Sequence, residues 1–164
     1  GILTFSTTAD RRARIGRVED VERWEWAGEA LRAWEPQNRA RLAHARSDGS
    51  MDYPFRTMDG CLLSPALDGG SGYYSVEGRF RLPAGRLAYL FWMEPGQGSD
   101  PRRMKPFERI PFQDEPVWVA NPGWLTSLDR LLFNPAMKDG VVTIRRIVVA
   151  RFQIGPYDAR AASP

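Results

Sequence analysis

The chain has 164 residues, with 43% hydrophobic, 12% aromatic and 26% charged side chains. That composition excludes a mostly disordered chain and fits one domain with a sizeable core. The 23 basic and 20 acidic residues leave a net charge of only +3, too balanced for a polyanion-binding footprint. Lys105 and Lys138 are the only lysines, an arginine bias that matches the codon usage of a GC-rich genome.

One cysteine, Cys61, allows no internal disulfide and no paired-cysteine metal or redox motif. The longest apolar runs, such as 88–93, are far shorter than the roughly 20 residues of a membrane span. Gly1 opens the chain without a charged-then-apolar leader, which fits an excised domain or a mature chain.

In chain order, the first half is ambiguous. Val21, Trp24, Leu31 and Trp34 fall at helical spacings, while Glu22, Trp24 and Trp26 also fit a strand. Residues 28–34 and 38–46 contain helix formers, but Pro36 interrupts any single long helix. Strands are expected here, with a short helix as the alternative.

The clearest signal lies at 73–82. Tyr74, Val76, Phe80 and Leu82 alternate with Tyr73, Ser75, Glu77, Arg79 and Arg81, the period of a strand with one buried face. Turn residues at 83–85 precede the apolar run 86–93, so the pair reads as a hairpin. After a turn-rich loop at 94–101, residues 104–112 alternate again. A β-prone run, 117–120, then ends at Asn121-Pro122-Gly123. In the last strand, 141–152, Val142 and Ile144 keep one parity and Ile147 and Val149 the other, which predicts a β-bulge at Arg145-Arg146.

Short β-runs punctuated by Gly and Pro, without strand-helix alternation, predict an all-β antiparallel sandwich of the jelly-roll type. Residues 1–154 would form its single domain and 155–164 a fraying tail.

The landmarks Asp59-Gly-Cys-Leu-Leu-Ser-Pro-Ala-Leu67, 73–82, Leu90-Phe-Trp92, Leu131-Leu-Phe-Asn-Pro135 and Gly140-Val-Val-Thr-Ile-Arg-Arg-Ile147 occur in that order. Together they resemble the galactose-binding-like (discoidin-type) jelly rolls appended to bacterial polysaccharide-handling enzymes. Asn134 and Leu132 stand where such domains usually carry aspartate and arginine, so an internal charged pair is absent. The resemblance implies a non-catalytic carbohydrate-binding module for a bacterial surface or extracellular polysaccharide, and it favours the cell envelope or the exterior. An attached catalytic domain would be a partner. The alternative is an accessory domain of a larger glycosyltransferase or glycan-processing protein that mediates assembly and binds no sugar.

Little in the chain suggests catalysis. His44 is the only histidine, which removes two-histidine metal sites and makes it the sole candidate base of a triad. Asp114 and Glu115 are adjacent and read as a solvated loop rather than a catalytic pair facing one cleft. Gly69-Gly-Ser-Gly72 lacks the Gly-Lys-Ser/Thr ending of a phosphate loop and reads as a turn. The resemblance admits a structural calcium ion near Asp48, Asp52 or Asp59, although their spacing is not that of an EF-hand. Arginine pairs at 11–12, 102–103 and 145–146 are dispersed among acids, which argues against nucleic acid.

A sugar offers an apolar C–H face and a rim of hydroxyls, so its site needs an exposed aromatic ring beside polar hydrogen bonders. The aromatics with polar neighbours are Trp26, Trp34, Tyr53 and Trp118, and Asp52 and Arg56 flank Tyr53. At least two of these four rings are expected at the surface. Trp92 is expected in the core and Trp124 in a packing role.

Overall fold

A computed structural model of the chain describes residues 2–5 and 16–155, with side chains over 20–154. Among the described residues, thirteen strands form two antiparallel sheets. They are β1 (Ile2–Phe5), β2 (Gly16–Ala27), β3 (Glu35–Gln37), β4 (His44–Ala45), β5 (Met51–Phe55), β6 (Cys61–Leu63), β7 (Gly72–Arg81), β8 (Tyr89–Met93), β9 (Met104–Pro106), β10 (Glu108–Arg109), β11 (Val117–Leu125), β12 (Arg130–Asn134) and β13 (Gly140–Gly155).

The larger sheet runs β1-β2-β13-β7-β11-β10, with β5 and then β4 attached to the first part of β13. The smaller runs β3-β6-β12-β8-β9. This is the all-β sandwich expected of a jelly roll, and its core lies between the sheets. Val76, Leu90, Leu131, Ile144 and Val149 are all but inaccessible there.

β13 holds the large sheet together. One edge bonds to β7 from Thr143 to Phe152; the other bonds first to β5 and then to β2. Its register against β7 slips between Ile144 and Arg146, the bulge that the parity change predicts. The extra residue, Arg145, turns out to solvent, so that Val142, Ile144, Ile147 and Val149 all face inward.

The expected hairpin between 73–82 and 86–93 does not form. β7 has β13 on one edge and β11 on the other, while β8 lies in the opposite sheet between β12 and β9. Both edges of β7 are taken, so the turn carries the chain across the sandwich. The 104–112 segment likewise divides. β9 pairs with β8 in one sheet and β10 with β11 in the other, and the chain crosses at the buried Phe107.

The first half is mostly strand. β2 alone covers 12 residues, and a 3-10 helix at Gly28–Ala33 is the one short helix among the described residues. Within 38–46 no helix forms; Asn38 and Arg39 take left-handed backbone conformations. β11 does not end at 120 but continues to Leu125 across a register shift between Ala120 and Gly123, where Gly123 has φ +90°. Of the expected tail, 156–164 lies outside the described residues.

Candidate functional site

All four candidate aromatics, of which at least two are expected at the surface, are buried: Trp26 and Trp118 at 9% exposure, Trp34 and Tyr53 at 1%. Three of them close one end of the sandwich. The 3-10 helix carries Leu31 into the core, the Trp26 and Trp34 rings meet edge to face at 5.3 Å, and the Tyr53 hydroxyl donates to the Leu31 carbonyl at 3.0 Å. Tyr53 faces inward because β5 alternates, with Met51, Tyr53 and Phe55 buried. Trp118 stacks on Phe80 at 5.3 Å and 6°, and its Nε1 donates to the Phe80 carbonyl at 2.9 Å. Gly78, opposite Trp118, leaves room for that stack; a Cβ there would lie 2.5 Å from the Phe80 ring. None of these rings can present a face to a ligand. Trp92 is core, as expected, at 7%.

Asp52 lies half-buried on the outer face of the large sheet, accepting from Thr143 Oγ1 at 2.7 Å and pairing with Arg46 at 3.2 Å. Arg56, just past β5, is exposed. With Tyr53 turned inward between them, the expected Asp52-Tyr53-Arg56 platform is not assembled.

Asp48 accepts from the backbone N–H and the hydroxyl of Ser50, which hold its carboxyl below the usual carboxylate range. Asp59 lies against Asn38, whose side-chain amide donates to its carbonyl. These engagements do not converge, and among the described residues no group of three or more potential metal ligands occurs. The Asp48, Asp52 and Asp59 carboxylates therefore do not form a shared ligand set.

His44 is exposed on β4, opposite Asp52. Asp114 and Glu115 lie in the loop between β10 and β11, Asp114 exposed and Glu115 half-buried, where Glu115 pairs with Arg145 at 3.1 Å and Arg79 at 3.6 Å. Glu115 and its two arginines, with Asp48, Arg81 and Thr143, line a cavity of about 50 Å³, room for water rather than a sugar ring. Gly69-Gly-Ser-Gly72 is a turn, stitched to Leu128 by Gly69 and to Tyr74, whose hydroxyl donates to the Gly70 carbonyl.

Among the described residues two aromatics are exposed, Phe112 in the loop between β10 and β11 and, on β11 itself, Trp124 at 61%. It sits opposite Tyr73 on the outward face of β7, with ring centroids 5.6 Å apart at 74°. Along that face of β7, Tyr73, Ser75, Glu77 and Arg79 alternate with the buried Tyr74, Val76, Gly78 and Phe80. Ser75 Oγ donates to Asn121 Oδ1 at 2.7 Å. Asn121 has thereby committed its carbonyl oxygen, so its two amide N–H groups are what it offers a ligand.

Asn121 also lines a groove of about 290 Å³ with Lys105, Glu108, Arg109, Pro111 and Val119. The groove exists because β10 covers only Val119 and Trp118, leaving the rest of the β11 edge open. A raised aromatic pair, an amide donor and a charged groove thus follow one another along β11. This is the composition that a saccharide requires.

Trp124, expected in a packing role beyond a strand end at Asn121-Pro122-Gly123, is instead exposed on the continued strand. The available signal was the β-prone Trp124-Leu125 directly after Gly123, since a glycine inside a strand pattern can mark a bulge rather than an end.

No family model and no curated protein sequence matches the chain. Solved structures do match its fold. The C-terminal family 6 carbohydrate-binding module of LamC, a marine laminarinase from Zobellia galactanivorans, aligns with a TM-score of 0.52 at 14% identity, over 79% of this chain and 100% of that one. A family 6 module of Clostridium stercorarium, solved with cellobiose, aligns at 0.52 and 10% identity, over 79% and 92%. A low-affinity xylan-binding module of family 86 from Roseburia intestinalis aligns at 0.53 and 9% identity, over 87% and 99%. The chain has the fold of these modules.

Proposed function

We propose that the chain is a non-catalytic carbohydrate-binding module that recognises a polysaccharide, one of the bacterial surface or the extracellular space, and positions an attached catalytic domain on it. The observation that carries this reading is Trp124, exposed on the sheet face and braced by Tyr73, with Asn121 and Ser75 beside it. An exposed tryptophan held edge-on by a neighbour is a prepaid platform, because the ring's orientation is set before a sugar arrives. The solved modules of this fold include one in complex with cellobiose and a low-affinity xylan-binding one, which supports the ligand class. A glycan array probed with the chain and with Trp124→Ala tests it: binding to at least one polysaccharide, weakened in the variant, is expected.

The second reading, an accessory assembly domain without sugar binding, draws on the opposite face. Leu63, Leu132, Phe91 and Met104 lie in register across the small sheet, each partly exposed. An apolar row of this kind suits contact with another protein domain. A blank glycan array would favour it.

A further inference from the structure

β2 is fully paired on one side only. β13 bonds to it from Arg17 to Ala27, whereas β1 covers the other edge only from Gly16 to Glu19. Among the described residues, no strand pairs with that second edge over residues 20–27. Unpaired N–H and C=O groups along a strand edge are a template for another strand.

The side chains along this edge determine what can pair there. Arg23 and Glu25 point outward and are exposed; Glu22, Trp24 and Trp26 point inward. Val21 is skipped in the register against β13, where Arg151 faces Glu22 and Phe152 faces Asp20, so the regular stretch begins at Glu22. A row of like charges would repel a second copy; Arg23 and Glu25, which within the chain reach Asp20 at 3.8 Å and Arg146 at 2.6 Å, are not such a row. Here opposite charges stand two residues apart.

From this we infer that the β2 edge is a self-recognition surface that pairs antiparallel with β2 of a second copy. A two-fold axis perpendicular to the sheet keeps each side chain on its own face, so residue i can oppose residue j of the other copy only when their sum is even. A sum of 46 sets Arg23 against Arg23, and 50 sets Glu25 against Glu25, both repulsive. A sum of 44 opposes the two Glu22 carboxylates. A sum of 48 opposes Arg23 to Glu25 twice, places the two Trp24 side chains side by side at the axis, and uses the whole regular stretch 22–26. This register alone satisfies both the charges and the edge.

Resting on the binding role proposed above, such a pair carries both Trp124 platforms on one face of a continuous sheet. Across the strands, seven spacings separate them, about 34 Å at about 4.8 Å each. That arrangement suits two sites on one polysaccharide chain.

The test is sedimentation of the full chain between about 1 µM and 1 mM, the range of weak to moderate association, without any glycan. A reversible shift from monomer to dimer is expected. Arg23→Glu and Glu25→Arg each set like charges opposite one another and should weaken it about tenfold. Mixing the two folded variants should restore association, because the heterodimer has both pairs complementary. Hydrogen exchange should show the amides of 22–26 gaining protection as concentration rises. A chain monomeric to 1 mM overturns the inference, as does a dimer insensitive to both substitutions. Concentration-independent protection of 22–26 also overturns it, because a segment of the same chain then covers the edge. Glycan binding by a monomeric chain would leave the proposed function standing while removing the dimer.

Discussion

The Tyr53 hydroxyl reaches from β5 to the Leu31 carbonyl, 3.0 Å away, and so fastens the only helical segment among the described residues to the large sheet. Tyr53→Phe removes a buried bond and leaves the Leu31 carbonyl with the Trp34 N–H as its remaining partner, which should cost about 1 kcal/mol in chemical denaturation.

The same burial sets a pH dependence. It pushes the Tyr53 phenol up to about 12 from an ordinary 10. Because the folded state holds this proton more tightly, the contribution is complete below about pH 10 and is lost as pH rises through about 12. Thermal midpoints should therefore fall across that window, and less steeply in Tyr53→Phe. Equal slopes for the two proteins would refute the assignment.

Trp124 and Trp92 should separate binding from stability. Trp124→Ala is expected to leave the unfolding free energy within about 1 kcal/mol, since only its contact with Tyr73 is lost. Its affinity for a recognised polysaccharide should drop several-fold, on the order of 1 kcal/mol per stacked ring. Trp92→Ala should cost about 3 to 5 kcal/mol as a large core deletion. Isothermal titration and urea unfolding of both variants check this, and unchanged affinity in Trp124→Ala would remove the platform.

Ser64 gives the leucine-serine-proline landmark a physical basis. It is 1% exposed, and its backbone N–H donates to the Leu131 carbonyl at 2.9 Å. Its hydroxyl oxygen accepts from the Leu131 N–H at 2.8 Å and donates to the Pro65 carbonyl at 2.9 Å. The side chain thus continues the β6-β12 ladder at the point where Pro65, having no N–H, ends it. Ser64→Ala strands a buried N–H and should cost about 1–3 kcal/mol; calorimetry that shows no change would contradict this.

Cys61 is a buried thiol pushed up to about 11, chiefly by burial and further by the Asp59 carboxylate. The thiolate is the reactive species, so at pH 8 a disulfide reagent should label the native chain far more slowly than the chain in denaturant. Equal rates would show the thiol to be accessible.

Strand periodicity alone determined the β-class, the position of β7 and the bulge in β13, because the pleat has a two-residue period that a sequence records directly. The inward placement of Tyr53 was legible in the same way, from the alternation of Met51, Tyr53 and Phe55. Which sheet receives β8, and whether β11 continues beyond Pro122, depended on partners far along the chain, since a strand's edges are satisfied by whatever pairs with them. The fate of the tryptophans was decided at that level too. Trp26, Trp34 and Trp118 have charged or turn neighbours in sequence, yet the 3-10 helix and the Gly78 gap hide them. Trp124 lies outside because it falls on the solvent face of β11 opposite Tyr73. Local polarity reports the neighbours along the chain; exposure is set by the neighbours across the sheet.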